Sequence, residues 1–583
     1  MDFVSESKFL KRGKGPRDKD PGGKITGARF IAEMFSRYGV SHVFFVESIL
    51  RHALVEMESV GIQRVMTHSE KAAAYMADGY ARISRKPGIC MSQSVGAANL
   101  ASGLQDAYLG LSPVIAITGR KPAVSQHRNA YQEIPHDSLF RSVTKYGVSV
   151  ETLEQLPYQL RQAFREATSG APGPVHLDMV DHLGDLIAKS EGRLEMVIEE
   201  SFTHYPAIRP EPDLNYVREA ADILKRAKRP VIVAGGGAMA SSAGPEIIAL
   251  AESLAIPVAT SLNAKGVLLE HHPLNVGAVG SYSRWCANRV VSEADLVLFV
   301  GSHTGDQITH NWRIPEPGTP VIQIDIDPKE LGRNYPNTVP LLGDAKVVLG
   351  RLMEALKGQS DAPVKREWMK RAQQLVKEWR EEAEPLRNSG AVPIRPERLC
   401  KEITDALPSD GVLVSDTGFA AIWTGTMFYL THPGQSYLRC AGSLGWAFPA
   451  AIGAKCAVPN RPVVCFTGDG GLWYHLSELE TACRCNINTV TVVNNNNCLK
   501  QCWEGVEKAY GDRTGNRDEL FKFREVDFAK IAEEMGCIGM TVESPGEISN
   551  ALKKALTLDK PVVVDVRVEP ECEAPAPWSP AKT

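Results

Sequence analysis

The residues best suited to chemistry lie in one short stretch. An apolar run at 462–466 reads as a buried strand, and Thr467-Gly468-Asp469-Gly470-Gly471 follows it at once. In an open parallel sheet, ligands bind beyond the carboxyl ends of the strands. Glycines there let backbone amides approach a phosphate, and a helical pattern starting near Leu472 would aim its positive end at the anion. Asp469 adds a hard carboxylate oxygen of the kind magnesium takes beside phosphate oxygens and water. Gly-Asp-Gly alone is as easily a turn as a site. A second strand-like run, 489–493, ends in four asparagines, Asn494 to Asn497. Two neighbouring strands ending at one sheet edge would bring Asp469 and an asparagine oxygen to one ion. An asparagine-rich turn is the plain alternative, but the two stretches together point to a metal–diphosphate site.

Such a site needs parallel sheets to hold it. The chain has 583 residues, 43% hydrophobic and 23% charged, with a formal net charge of −4. At roughly 150 residues per domain, that length predicts three or four domains. The charge balance argues against nucleic acid and against electrostatic capture by a membrane. No apolar stretch approaches the roughly 20 residues of a membrane helix. The 12 cysteines form no CxxC pair and read as buried thiols in a reducing cytoplasm. Strand-like runs alternate with helical patterns three times over, which predicts an α/β protein of three consecutive doubly wound parallel-sheet domains. The expected order is a flexible arm at 1–24, a first domain at 25–190, a central domain at 205–360, a charged linker at 361–393, a third domain at 394–570 and a surface tail at 571–583.

Gly468-Asp469-Gly470 followed about 25 residues later by the asparagines resembles the thiamine diphosphate motif of the acetolactate synthase and pyruvate decarboxylase superfamily. The resemblance spans nearly the whole chain, with the same order of pyrimidine-binding, central and diphosphate-binding domains. It implies thiamine diphosphate held through Mg2+ by Asp469, by Asn496 (27 positions on) and by the backbone carbonyl of Cys498. Gly468, Gly470 and Gly471 would line the diphosphate. The segment from Thr67 through Glu70 to Arg82 is similar to the one that carries the family's activating acid, so Glu70 is the expected catalytic glutamate. A buried acid beside the aminopyrimidine promotes the tautomer that deprotonates the thiazolium carbon. A capping glutamate at a helix start is the alternative. Gly442-Ser443-Leu444-Gly445 matches the loop whose large apolar residue, here Leu444, bends the cofactor, with the Gly442 carbonyl accepting from the aminopyrimidine. Asn99 and Gly418 complete the expected cofactor contacts. In the family the glutamate and the diphosphate site come from different subunits, which implies a homodimer or homotetramer.

The chain departs from its family around the substrate. Relatives have a Pro-Gly-Gly-like turn where this chain reads Phe45-Val46-Glu47-Ser48. Glu47 or Ser48 is then a candidate proton shuttle or substrate anchor, unless the segment is only a surface turn. Gln132 matches an active-site glutamine. Lys500-Gln501-Cys502-Trp503-Glu504-Gly505 does not reproduce the acetolactate synthase pattern, and Asp416-Thr417-Gly418-Phe419-Ala420 stands where other polar residues often touch the diphosphate. His68, His127 and His136 read as locally satisfied side chains. The triplet Gly235-Gly236-Gly237 after a strand leaves FAD or ADP open as a central-domain ligand, although the segment 301–307 lacks the arginine of flavin-binding relatives. The expected function is a lyase or transferase that cleaves, and usually decarboxylates, a small carbonyl substrate such as a 2-oxo acid. Carboligation to a second carbonyl is a further expectation. The rivals are a nicotinamide-dependent oxidoreductase, which would need a GxGxxG fingerprint, and a non-catalytic relative that keeps the fold.

Overall fold

The computed structural model describes residues 23–580 apart from 182, 338 and 359–362, so the expected arm lies almost wholly outside it. Three six-stranded sheets are each parallel throughout. The first runs Gln63–Met66, His42–Phe45, Gly88–Gln93, Val114–Arg120, Val175–Val180, Tyr146–Val150 across the sheet. The third runs Ser436–Arg439, Val412–Ser415, Val463–Gly468, Val490–Asn495, Val562–Arg567, Ile538–Val542. Counted by chain order, both follow 2-1-3-4-6-5. The central sheet instead follows 3-2-1-4-5-6, from Asn275–Ala278 across to Val339–Leu342, the order of dinucleotide-binding folds. Central strands such as Pro230–Ala234 and Leu296–Val300 are buried along their whole length, because helices cover both sheet faces.

The charged segment after the central sheet forms the helix Pro363–Arg387, which buries Trp368, Leu375 and Trp379 and leaves most of its charges outside, Lys365 and Arg387 being buried. The tail lies on the central domain, where the Trp578 carbonyl accepts from the Asn288 side chain and Ser579 meets His310. No helix among the described residues is long and apolar enough to cross a membrane.

The first and third domains share one apolar core. Its seam is the crossing of helix Glu70–Ser84 over helix Ala447–Ala457, and the second helix is buried on nearly every side because it is built from alanine, glycine and other apolar residues. Glycines let the backbones touch. A Cβ at Gly453 would stand 1.8 Å from the Met76 carbonyl oxygen, and one at Gly79 would stand 2.1 Å from that of Ala450. Gly453→Val should therefore lower stability by about 1–3 kcal/mol or more. Gly350→Ala, where a Cβ meets nothing in an ordinary helix, should be neutral or mildly stabilising. Thermal unfolding of the two variants checks the contrast.

Candidate functional site

Strands Val463–Gly468 and Val490–Asn495 lie side by side, with Gly468 in register with Asn494. The chain leaves the first strand directly into a short helix, Asp469–Trp473, so Asp469 sits in its first turn. Asp469 is 3% exposed, and its Oδ2 finds no hydrogen-bond partner within the protein. Asn494 is 6% exposed, and its Oδ1 is equally unpartnered. Buried acceptors without donors are costly, and two of them at adjacent strand ends are what a hard cation would satisfy. Burial pushes the Asp469 carboxyl up to about 7, although the amides of Gly470 and Cys498 oppose the rise. Asn496, chosen by spacing, turns its Oδ1 toward the Cys498 amide at 3.2 Å. Asn495 is tied to Asp565 at 2.8 Å and is structural. The sequence reading passed over Asn494. Only the pairing register shows that it faces Gly468.

The loop from Ala441 to Gly445 is held from two sides. Asp106, on helix Gly96–Leu109 of the first domain, accepts from the amides of Ala441 (2.8 Å), Gly442 (3.2 Å) and Ser443 (3.1 Å). Arg82 lies 3.1 Å from the same carboxylate, bonds both oxygens of Asp78 at 2.7 Å and reaches the Arg439 carbonyl at 2.7 Å. The Trp446 indole closes the cluster on Asp78 at 2.9 Å. On the other side Asp416 accepts from the Gly445 amide at 3.1 Å and the Thr467 hydroxyl at 3.0 Å, and burial pushes it up to about 6. Gly471 packs on Asp416, since a Cβ there would stand 2.6 Å from its Oδ2. Thus Asp416 joins the glycine turn around Asp469 to the loop, while Gly442 stays exposed and Leu444 half-buried. Sequence reasoning missed Asp106, and named Asp416 only as part of a segment that departs from the family's diphosphate contacts. The one available signal for Asp106 was an acid within an otherwise apolar helical pattern. Gly418 adopts φ +67° before helix Phe419–Thr426, a backbone only glycine takes readily.

Glu70 begins its helix, half-buried, and accepts from Asn99 Nδ2 at 2.8 Å. Gly96 lies against it, for a Cβ there would be 2.5 Å from Glu70 Oε1. No hydrogen bond joins Glu70 to Gly442, Leu444 or Asp469 among the described residues. Glu47 is exposed and paired with Arg51, whose guanidinium holds its carboxyl below the usual range. Ser48 takes φ +97° and donates to Glu47 at 3.0 Å, so a serine occupies backbone where glycine is at home. Gln132 is half-buried at φ +62°, and its carbonyl accepts from the Ser94 hydroxyl. In the central domain the Gly235 amide donates to Val300 and the Gly237 amide to Gly301, at 2.8 and 2.9 Å. Those two donors are spent inside the chain.

The sequence matches three family models in order. Residues 25–139 match the thiamine pyrophosphate enzyme N-terminal TPP binding domain, 217–352 its central domain and 416–566 its C-terminal TPP binding domain. A probable acetolactate synthase large subunit of Methanocaldococcus jannaschii is 35% identical over 517 residues, 87% of this chain and 85% of that protein. The chain belongs to the thiamine pyrophosphate enzymes. Acetolactate synthase large subunits of Haemophilus influenzae and, as isozyme 1, of Escherichia coli are each 29% identical, covering 94% of this chain and 95% of theirs. It is an acetolactate synthase-like member of the family, and its three sheets correspond to the three family domains.

A cation at Asp469 must displace the proton that burial favours. Below about pH 7 the apparent Mg2+ affinity of the protein, measured with thiamine diphosphate present, should fall about tenfold per pH unit and level off above that. Asp469→Asn should abolish both the slope and most of the affinity. Titrations at a series of pH values check this.

Proposed function

We propose that the protein is a thiamine diphosphate- and magnesium-dependent enzyme that removes CO2 from a 2-oxo acid and joins the remaining fragment to a second carbonyl. The observation that carries the reading is the pair of buried, unpartnered acceptors, Asp469 Oδ2 and Asn494 Oδ1, on neighbouring strand ends where Gly468 pairs with Asn494. Asn496 and the Cys498 carbonyl stand within the same turn as further ligands. Bound there, thiamine diphosphate would supply a thiazolium carbon that adds to a carbonyl and accepts the electron pair left when CO2 departs.

The chain's own residues do the rest. Glu70 holds a proton for the pyrimidine ring and is oriented by Asn99 and by contact with Gly96. Gly442 offers its carbonyl, and half-buried Leu444 offers an apolar edge, on a loop that cannot drift because Asp106 and Asp416 grip it. Gly418, Gly468, Gly470 and Gly471 keep side chains away from the diphosphate. Glu47, ionised by Arg51, is suited to a charge role rather than to proton donation, and with Ser48 and Gln132 it would shape acceptor choice.

A homodimer or homotetramer fits the separate settings of Glu70 and Asp469 within one chain, with Glu70 of one subunit facing the diphosphate site of another. The 12 unpaired cysteines suit a cytoplasmic setting. A nicotinamide enzyme finds no support, because the central glycine triplet has no free amides at Gly235 and Gly237.

With thiamine diphosphate, Mg2+ and a panel of 2-oxo acids, with and without aldehyde or oxo-acid acceptors, the protein should release CO2 and form a ligated ketol. Glu70→Gln should cut turnover about 10²–10⁴-fold with little loss of cofactor binding. Turnover unchanged in Glu70→Gln, or equal without cofactor, would overturn the reading.

A further inference from the structure

Behind the Glu70 contacts lies a second polar cluster that the chemistry above does not use. His136, His176, Asp178 and Thr118 meet in the core of the first domain, none more than 4% exposed. The Thr118 hydroxyl stands at their centre, 2.7 Å from His176 Nε2, 2.9 Å from Asp178 Oδ1 and 3.1 Å from His136 Nδ1. His136 Nδ1 is also 2.9 Å from Asp178 Oδ1, and Arg120 Nε lies 3.3 Å from Asp178 Oδ2. Phe140 stacks on His176 with ring centroids 3.7 Å apart, and burial pushes that imidazole down to about 4. The atoms that could ligate a metal are engaged with this hydroxyl or with each other, so the cluster is a hydrogen-bond hub. Burying so many polar groups is costly. A satisfied network returns rigidity at its outer end.

Its outer end is the backbone of Ser94, itself only 1% exposed. The far side of the His136 ring, Nε2, donates to the Ser94 carbonyl at 3.0 Å, and the Ala97 amide donates to the same oxygen. That oxygen opens helix Gly96–Leu109, whose Gly96 touches Glu70 and whose Asn99 hydrogen-bonds it. The Ser94 amide is fixed on the Gly119 carbonyl at 2.9 Å, and the Ser94 hydroxyl holds the Gln132 carbonyl in its left-handed turn. One residue therefore ties the support of Glu70 to the position of Gln132, and His136 is what anchors it to the core.

We propose that Asp178, Thr118 and His136 are positioning residues that, through Ser94, hold the Glu70 carboxylate and the Gln132 turn in register for catalysis. The inference rests on the reading of Glu70 as the activating acid. None of the three hydrogen-bonds Glu70 directly. Gln at 136 keeps a donor that can reach the Ser94 carbonyl, whereas Leu removes it, and both lose the imidazole partner of Asp178. Two rates are compared in the wild-type holoenzyme, His136→Leu and His136→Gln: deuterium exchange at the thiazolium carbon of bound thiamine diphosphate, and amide deuterium uptake of residues 94–99.

Leu should slow the first rate roughly tenfold or more and quicken the second. Gln should restore most of both, although both variants unfold at a lower temperature than wild type. If Leu fails to fold, Asp178→Asn, which keeps the shape and removes the charge, should slow the cofactor exchange and quicken uptake at 94–99 in the same direction. Equal cofactor exchange in the Leu and Gln variants, or wild-type exchange in Asp178→Asn, would overturn the proposal and leave a packing role. Wild-type protein that binds the cofactor without exchanging its proton would instead sink the reading of Glu70, and the proposal with it.

Discussion

Two buried carboxylates, Asp106 and Asp416, grip the loop from Ala441 to Gly445, and the arrangement of the candidate site depends on that grip. The loop cannot anchor itself, because Gly442 has no side chain and Leu444 is only half-buried. Its amides supply most of the hold, beside the buried Ser443 hydroxyl, which accepts from Gln105. Three successive N–H groups converge on Asp106, and the Gly445 amide donates to Asp416. Hydrogen bonds to an ionised acceptor in a dry setting are about twice as strong as neutral ones. Burial pushes the Asp106 carboxyl up, and Arg82 beside it opposes that rise and favours the ionised acceptor, Arg82 itself being fixed by Asp78 and by the Arg439 carbonyl. Removing one member of such a buried set leaves the others uncompensated.

The grip crosses a domain boundary. Asp106 and Arg82 belong to the first sheet's helices, the loop to the third domain, and they meet because two helices cross at glycines with almost no space between their backbones. Packing at Gly79 and Gly453 therefore sets the distance over which Asp106 must reach. Asp416 works on the other side, where its contacts with Thr467 and Gly471 join the loop to the glycine turn around Asp469. The Ala441–Gly445 loop and the glycine turn around Asp469 are thus braced by one continuous set of contacts, and the loop can move only if one of them breaks.

Much of this was legible in the sequence, for identifiable reasons. Strand runs bounded by glycine and asparagine marked the parallel sheets, and the turn at Gly468–Asn497 marked where two strands end. What stayed hidden depended on contacts between distant segments. Asn494 and Asn496 differ only in the register against Gly468, which local pattern does not encode. Asp106 is 335 positions from its first amide partner, and Asp178 is 42 from His136. Glu47 looked free to react in sequence, whereas Arg51, four residues on at the start of a helix, pairs with it. The glycine triplet of the central domain looked like a phosphate loop until its amides were seen to face Val300 and Gly301.

The most direct test of the clamp separates its two sides. In the presence of Mg2+, the affinities of Asp106→Asn for thiamine diphosphate and for inorganic diphosphate are measured against wild type. If Asp106 positions the pyrimidine-side loop, thiamine diphosphate should bind at least about tenfold more weakly, a difference of about 1.4 kcal/mol, while inorganic diphosphate binds as before. Unchanged affinity for both ligands, or equal loss of both, would contradict the account.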